Sequence, residues 1–193
     1  MKYTRDSIIE RYNAGKDMNV IAFWGHTPNP KKMTKACFSQ WYDCQLEVDG
    51  IEYHTTEQYM MAQKAALMGD SVTEQKIMAS ADPRDYKALG REVRNFDEEL
   101  WNRNKYNVVL RGNLAKFSQN PELFAFLEST GNSVLVEASP YDDIWGVKLA
   151  IEDPRIQNPN EWQGENLLGF VLMETRDILR ERLMDKKQRG DER

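Results

Sequence analysis

The sequence predicts an α+β fold: a small β-sheet under a predominantly helical layer. Two observations carry that expectation. Helix signals outnumber strand signals, about seven segments against four or five short strands. The strands cluster early and late with the helices between, rather than alternating as parallel βαβ units would. A length of 193 residues suits one domain with a sizeable core, burying about 70% of the surface its unfolded chain exposes.

Taken in order, Thr4 precedes Ile8, Ile9 and Tyr12 and opens a short helix. Val20-Ile21-Ala22-Phe23-Trp24 is an apolar run ending at Gly25, which reads as a buried strand. Pro28 and Pro30 make residues 26–35 a loop. Cys44 to Val48 and Ile51 to His54 flank Asp49-Gly50, a pair suited to the positive φ of a hairpin turn. Thr55 with Gln58 resembles a capping box for a helix through Met68, stopped by Gly69. Ser71 with Glu74 offers a second box. Asp82-Pro83 and Asn120-Pro121 each place a cap before a proline fitted to the first helical turn. Between them Asp97 caps a long helix running to about Phe117. Residues 133–137 read as a strand, and the stripe Leu168, Val171, Leu172, Thr175, Ile178 and Leu179 as a packed terminal helix. The organisation expected is a helical extension over residues 1–19, a domain over 20–184 and a polar, frayed tail over 185–193.

Composition narrows the function classes. Lys plus Arg is 26 and Asp plus Glu is 31, a net charge of −5, which argues against a charge-driven nucleic-acid binder. Lys31, Lys32 and Lys35 could still guide a strand. No run approaches the roughly 20 apolar residues of a membrane span, so no membrane partner is expected. Residues 1–6 lead into no apolar signal core, and a cytoplasmic location is expected. Cys37 and Cys44 match neither a redox pair nor a zinc ribbon and read as small buried hydrophobes. A metal site would need both His26 and His54, which lie far apart in sequence, and none is expected.

Four segments are more polar and aromatic than their positions require: Phe23-Trp24-Gly25, residues 57–64, residues 101–105 and residues 140–146. Glu57 and Lys64 are seven apart, so on a helix they share a face, roughly 10 Å from each other along the axis. Either they flank a core stripe as solvated charges, or they edge a pocket with shifted pKa values. Trp101 is a core residue or a stacking platform for a base. Asp142, Trp145 and Gly146 make a plain turn or one wall of a ligand pocket. On residues alone, the ligand is a ring compound such as a nucleotide.

In this order the segments resemble the YbiA-like or NADAR family. The match runs through Phe23-Trp24-Gly25, Ser39-Gln40-Trp41-Tyr42, residues 56–64, Gly90-Arg91-Glu92-Val93, Trp101 and residues 116–120. It continues through residues 135–140, Asp142 with Ile144-Trp145-Gly146, Asn166-Leu167-Leu168-Gly169, Leu172-Met173 and Arg176. The resemblance implies a mostly helical α+β fold and an N-glycosidase. Its substrate is a ribosylated nucleobase or nucleotide, either a phosphoribosylamino-pyrimidine of riboflavin synthesis or an ADP-ribosylated guanine, free or in nucleic acid. No metal or organic cofactor is implied. It places Glu57, Lys64, Trp101, Asp142, Trp145 and Asn166 around one pocket, with Lys64 as the imine-forming amine and Glu57 and Asp142 as assisting carboxylates. Trp101 and Trp145 grip base or ribose, and Arg91 is a candidate for phosphate. Phe23, Trp24, Gly25, Trp41 and Gly146 are further substrate contacts within the matching motifs. One departure stands out: where the family carries a second Gly two residues after Trp-Gly, this chain has Lys148. A non-catalytic module that binds ADP-ribose or nucleotide is the alternative.

Overall fold

The structure, a computed structural model, describes residues 1–191. Seven helices surround two short sheets, in the α+β arrangement expected. Helix α1 (Arg5–Asn13) leads to strand β1 (Val20–Phe23), which is followed by a 3₁₀ turn at Lys35–Phe38. The hairpin β2 (Leu46–Val48) and β3 (Ile51–Tyr53) comes next, then helices α2 (Thr56–Leu67), α3 (Ser71–Ala79), α4 (Pro83–Arg91), α5 (Glu98–Gln119) and α6 (Pro121–Ser129). Strand β4 (Val134–Glu137), two 3₁₀ turns and α7 (Leu167–Asp191) complete the chain.

Local chemistry explains most boundaries. Thr4 caps α1 by accepting from Ser7 N, and Asp97 caps α5 by accepting from Leu100 N. Asp49 and Gly50 have φ of 55° and 79°, the left-handed pair a tight hairpin turn requires. Thr55 accepts from Gln58 N, but the expected box does not close on Thr55. Gln58 Oε1 instead accepts from His54 N, and its amide donates to the carbonyls of Ile77 and Ser80. Asp70, not Ser71, caps α3, because its fully enclosed carboxylate accepts from Thr73 and also holds Arg94. Trp24 falls outside β1. The segment expected to fray from residue 185 continues α7 to Asp191, and residues 192–193 lie outside the described part.

Tertiary pairing sets the position of the site. β1 and β4 are parallel neighbours, in register from Val20↔Val134 to Phe23↔Glu137. Both strands therefore end at the same edge, and the chain leaves that edge twice, at Trp24 and at Ala138. Parallel strands open a crevice beyond their carboxyl ends. The larger apolar cluster packs these strands against α7 and α5 through residues such as Val136, Phe170 and Phe117. The second gathers the hairpin with α2, α3 and α4 around Tyr59, Ile77 and Tyr86. Helix α2 lies between them, and glycine lets its neighbours come close. A Cβ at Gly112 of α5 would meet Tyr59 Cδ1 at 2.7 Å, and one at Gly90 of α4 would meet Met61 Sδ at 2.0 Å.

Candidate active site

Beyond the carboxyl ends of β1 and β4 lies a cavity of about 330 Å³. Its walls come from six places in the chain. β1 is followed by Trp24, and the turn before the hairpin supplies Ser39, Gln40 and Trp41. Helix α2 supplies Glu57 and Lys64, α4 supplies Lys87, and α5 supplies Trp101. The end of β4 and the loop after it bring Glu137, Ser139, Asp142 and Trp145. A second lobe of about 410 Å³ adjoins it, sharing Trp41, Lys87, Glu137 and Asp142 and adding Phe23, Gly25 and His26. Cavities of this size take small organic ligands.

Burial distinguishes the charged groups. Glu57 is 5% exposed, so the solvated reading of its carboxylate does not hold. Burial pushes its pKa up to about 7, against the pull of Lys87, and nearby Asp142 acts in the same direction as burial. Glu137 is pushed up to about 8 by burial, with Asp142 and Glu57 adding to it. Burial pulls the Lys64 amine below the ordinary lysine value, while Glu57 opposes that. The Lys64 Nζ donates to the Gly90 carbonyl at 2.6 Å and stands 4.4 Å from the Phe96 ring centroid and 5.9 Å from that of Trp101. Asp142 is partly committed to its own loop: Oδ1 accepts from Ile144 N at 3.0 Å and Trp145 N at 2.8 Å. The Asx turn so formed sets Trp145 on the cavity wall.

The structure brings together Trp24, Trp41, Glu57, Lys64, Trp101, Asp142 and Trp145 around the main cavity, and Phe23 and Gly25 around the second lobe. Three other expected contacts lie outside both linings. Asn166 is completely buried; its Oδ1 accepts from Glu137 N and its Nδ2 donates to the Leu135 carbonyl. Gly146 is buried behind the loop, where a Cβ would meet the Glu137 carbonyl at 2.9 Å. Arg91 is exposed at the end of α4, one turn beyond Lys87. Sequence reasoning missed Lys87 and the role of Glu137. The Gly90-Arg91 motif pointed to the right helix, and a glutamate ending the apolar run Val134-Leu135-Val136 was the available signal for the other.

Lys148 has φ of 55°, a left-handed conformation that glycine adopts without strain. Its Nζ pairs with Asp143 at 3.1 Å, outside both cavity linings. Cys37 and Cys44 are free thiols, and burial pushes Cys37 up to about 12. His26 packs on Trp41 with ring centroids 5.4 Å apart. No helix among the described residues is long and apolar enough to cross a membrane.

Comparison with known proteins adds independent observations. The family profile of the NADAR domain matches residues 22–180. The chain is 43% identical over 157 residues to N-glycosidase R617 of Acanthamoeba polyphaga mimivirus, covering 79% of this chain and 92% of that protein. It is 30% identical over 142 residues to N-glycosidase YbiA of Escherichia coli, covering 74% and 80%. The NMR structure of E. coli YbiA superposes with a TM-score of 0.70 at 27% identity, over 86% of this chain and 88% of that one. A 33% identical stretch of 135 residues, 66% of this chain, matches 20% of the chloroplastic riboflavin biosynthesis protein PYRR of Zea mays.

Proposed function

Since the chain belongs to the NADAR family, we propose that it is an N-glycosidase that hydrolyses the ribose C1–N bond of an ADP-ribosylated guanine or of a phosphoribosylamino-pyrimidine. The observation that carries this reading is the cavity in which Glu57, Lys64 and Asp142 converge among Trp24, Trp41, Trp101 and Trp145. The named activity of the R617 and YbiA relatives supports the same reaction type.

The chemistry follows from these groups. Burial favours a neutral Lys64 amine, which is the nucleophilic form. The amine leaves the Gly90 carbonyl and attacks C1. The C1–N bond breaks with its electron pair on the departing nitrogen, which is protonated as it leaves. A proton passes from the attacking amine to the ring oxygen, the ring opens, and an imine remains on Lys64. Water adds to the imine carbon and frees the lysine. The carboxylates of Glu57 and Asp142 stabilise positive charge at C1 and activate that water. The tryptophans hold base and ribose by stacking.

Mass spectrometry of the products tests the substrate. The protein is incubated with a phosphoribosylamino-pyrimidine and with an ADP-ribosylated guanosine oligonucleotide, and release of free base from either is the expected result. Ligand binding without base release over hours would instead identify a nucleotide-binding module. Lys64→Ala is expected to abolish turnover with the fold intact, and borohydride trapping to add a ribosyl mass to the peptide holding Lys64. Wild-type activity in that variant would eliminate the imine route.

A further inference from the structure

Glu137 ends β4 with its backbone held on both sides. Its N–H donates to Asn166 Oδ1 at 3.0 Å, and its carbonyl accepts from Val147 N at 3.0 Å. Glu137 lines both lobes of the cleft, so it stands where they meet. Oε2 is shielded from solvent and has no hydrogen-bond donor among the described residues. An ionised oxygen in that position would be buried without compensation, which is costly. A protonated carboxyl avoids that cost.

The three carboxyl groups of the cleft have different surroundings. Glu57 on α2 faces Lys87 from α4, Asp142 from the loop and Lys64 from its own helix, and the Trp41 side chain also favours its ionised form. Asp142 has one oxygen bound to two backbone N–H groups. Glu137 faces two acids, Asp142 from the loop and Glu57 from α2, and one cation, Lys87. Of the three, Glu137 is the one with a shielded oxygen that finds no donor among the described residues, and where carboxyl groups share a site the least compensated one holds the proton.

We propose that Glu137 is the acid of this site and gives its proton to the departing base nitrogen, while Glu57 is the carboxylate facing ribose C1. The assignment rests on the N-glycosidase reading above. The step balances as follows. The C1–N bond breaks and its electron pair goes to the base nitrogen. The Glu137 O–H bond breaks toward that nitrogen and leaves a carboxylate. The water that later adds at C1 supplies its hydroxyl to the sugar, and the proton it gives up to the activating carboxylate passes on to Glu137, which restores the acid. The upward shift of Glu137 to about 8 agrees with a carboxyl that holds its proton at neutral pH.

The test compares leaving groups in wild type, Glu137→Gln and Glu57→Gln. One substrate carries guanine or the amino-pyrimidine, whose nitrogen must be protonated. The other is an N-ribosyl pyridinium, whose base leaves neutral without a proton. Glu137→Gln is expected to lose at least about 100-fold in kcat on the first and little on the second; Glu57→Gln slows both. The wild-type rate on the first substrate should fall as pH rises through about 8, and that limb should vanish in Glu137→Gln. Within the wild type alone, the limb should be present for the first substrate and absent for the pyridinium, a result that needs no variant to fold. Full activity of Glu137→Gln on the first substrate, or equal slowing on both, overturns the assignment while leaving the N-glycosidase reading intact. If the wild type releases no base from either guanine or amino-pyrimidine substrate, that reading fails and the assignment falls with it.

Discussion

Asn166, within a matching motif, and Lys148, at the departure from one, show how a residue can act through the backbone. Asn166 has φ of 57°, a left-handed conformation that asparagine tolerates, and it ties Leu135 and Glu137 to the start of α7. Asn166→Ala orphans a buried N–H and a buried carbonyl, each costing about 1–3 kcal/mol. Chemical denaturation should therefore show a large loss of stability, which removal of a mere substrate contact would not produce. Lys148 has the same backbone conformation without the tolerance. Lys148→Gly relieves a strain of about 1–2 kcal/mol, set against the loss of an exposed pair with Asp143 that solvent largely screens. A small rise in thermal stability is expected. Glu57 and Lys64 were legible as a pair because helical spacing places them on one face. The shielding of Glu57 was not legible, because it comes from Trp41, the loop after β4 and α4, all distant in sequence.

At the scale of elements, the caps and turns were written locally. Thr4, Thr55, Asp82 and Asp97 each accept from a backbone N–H two or three residues ahead, so a few consecutive residues suffice to mark the helix start. The exception at Asp70 has a tertiary cause: Arg94, twenty-four residues on, completes the carboxylate's partners. Helix contacts are less visible locally. A Cβ at Gly169 on α7 would come within 2.1 Å of the Leu135 carbonyl on β4. That obstacle is backbone and cannot rotate away. Gly169→Ala should force α7 off the strand, at a cost of about 1–3 kcal/mol or more, read as a lower Tm. Because Asn166 lies in the same junction, the variant should also lower activity.

Across the whole molecule, titration of buried carboxyl groups gives stability a direction in pH. Glu57 and Glu137 stand at about 7 and about 8, above their unfolded value, so the folded chain retains protons that the unfolded chain releases. Their contribution is fully present below the ordinary glutamate pKa of about 4.3 and is lost as pH rises through the folded values. Asp70 acts oppositely: Arg94 holds it well below the usual carboxylate range, so its contribution is present above about pH 3.9 and fails as pH falls. Thermal unfolding should show maximal stability in mildly acidic solution. Glu137→Gln should flatten the decline between about pH 4.3 and about pH 8.

Length, hydrophobic patterning and capping residues were enough to set the α+β class and most element boundaries, because these depend on neighbours a few positions apart. The residue types of the cleft were legible too, since Glu, Lys, Asp and Trp recur in segments where a plain core or turn would not need them. The parallel pairing of β1 with β4 was not, because it joins Val20 to Val134 across most of the chain. That pairing brings Trp24 and Glu137 to one edge, and packing against α2 and α4 then sets which charged groups surround each carboxyl group. Charge and dielectric at a site are sums over everything nearby in space, and only the folded chain defines that neighbourhood.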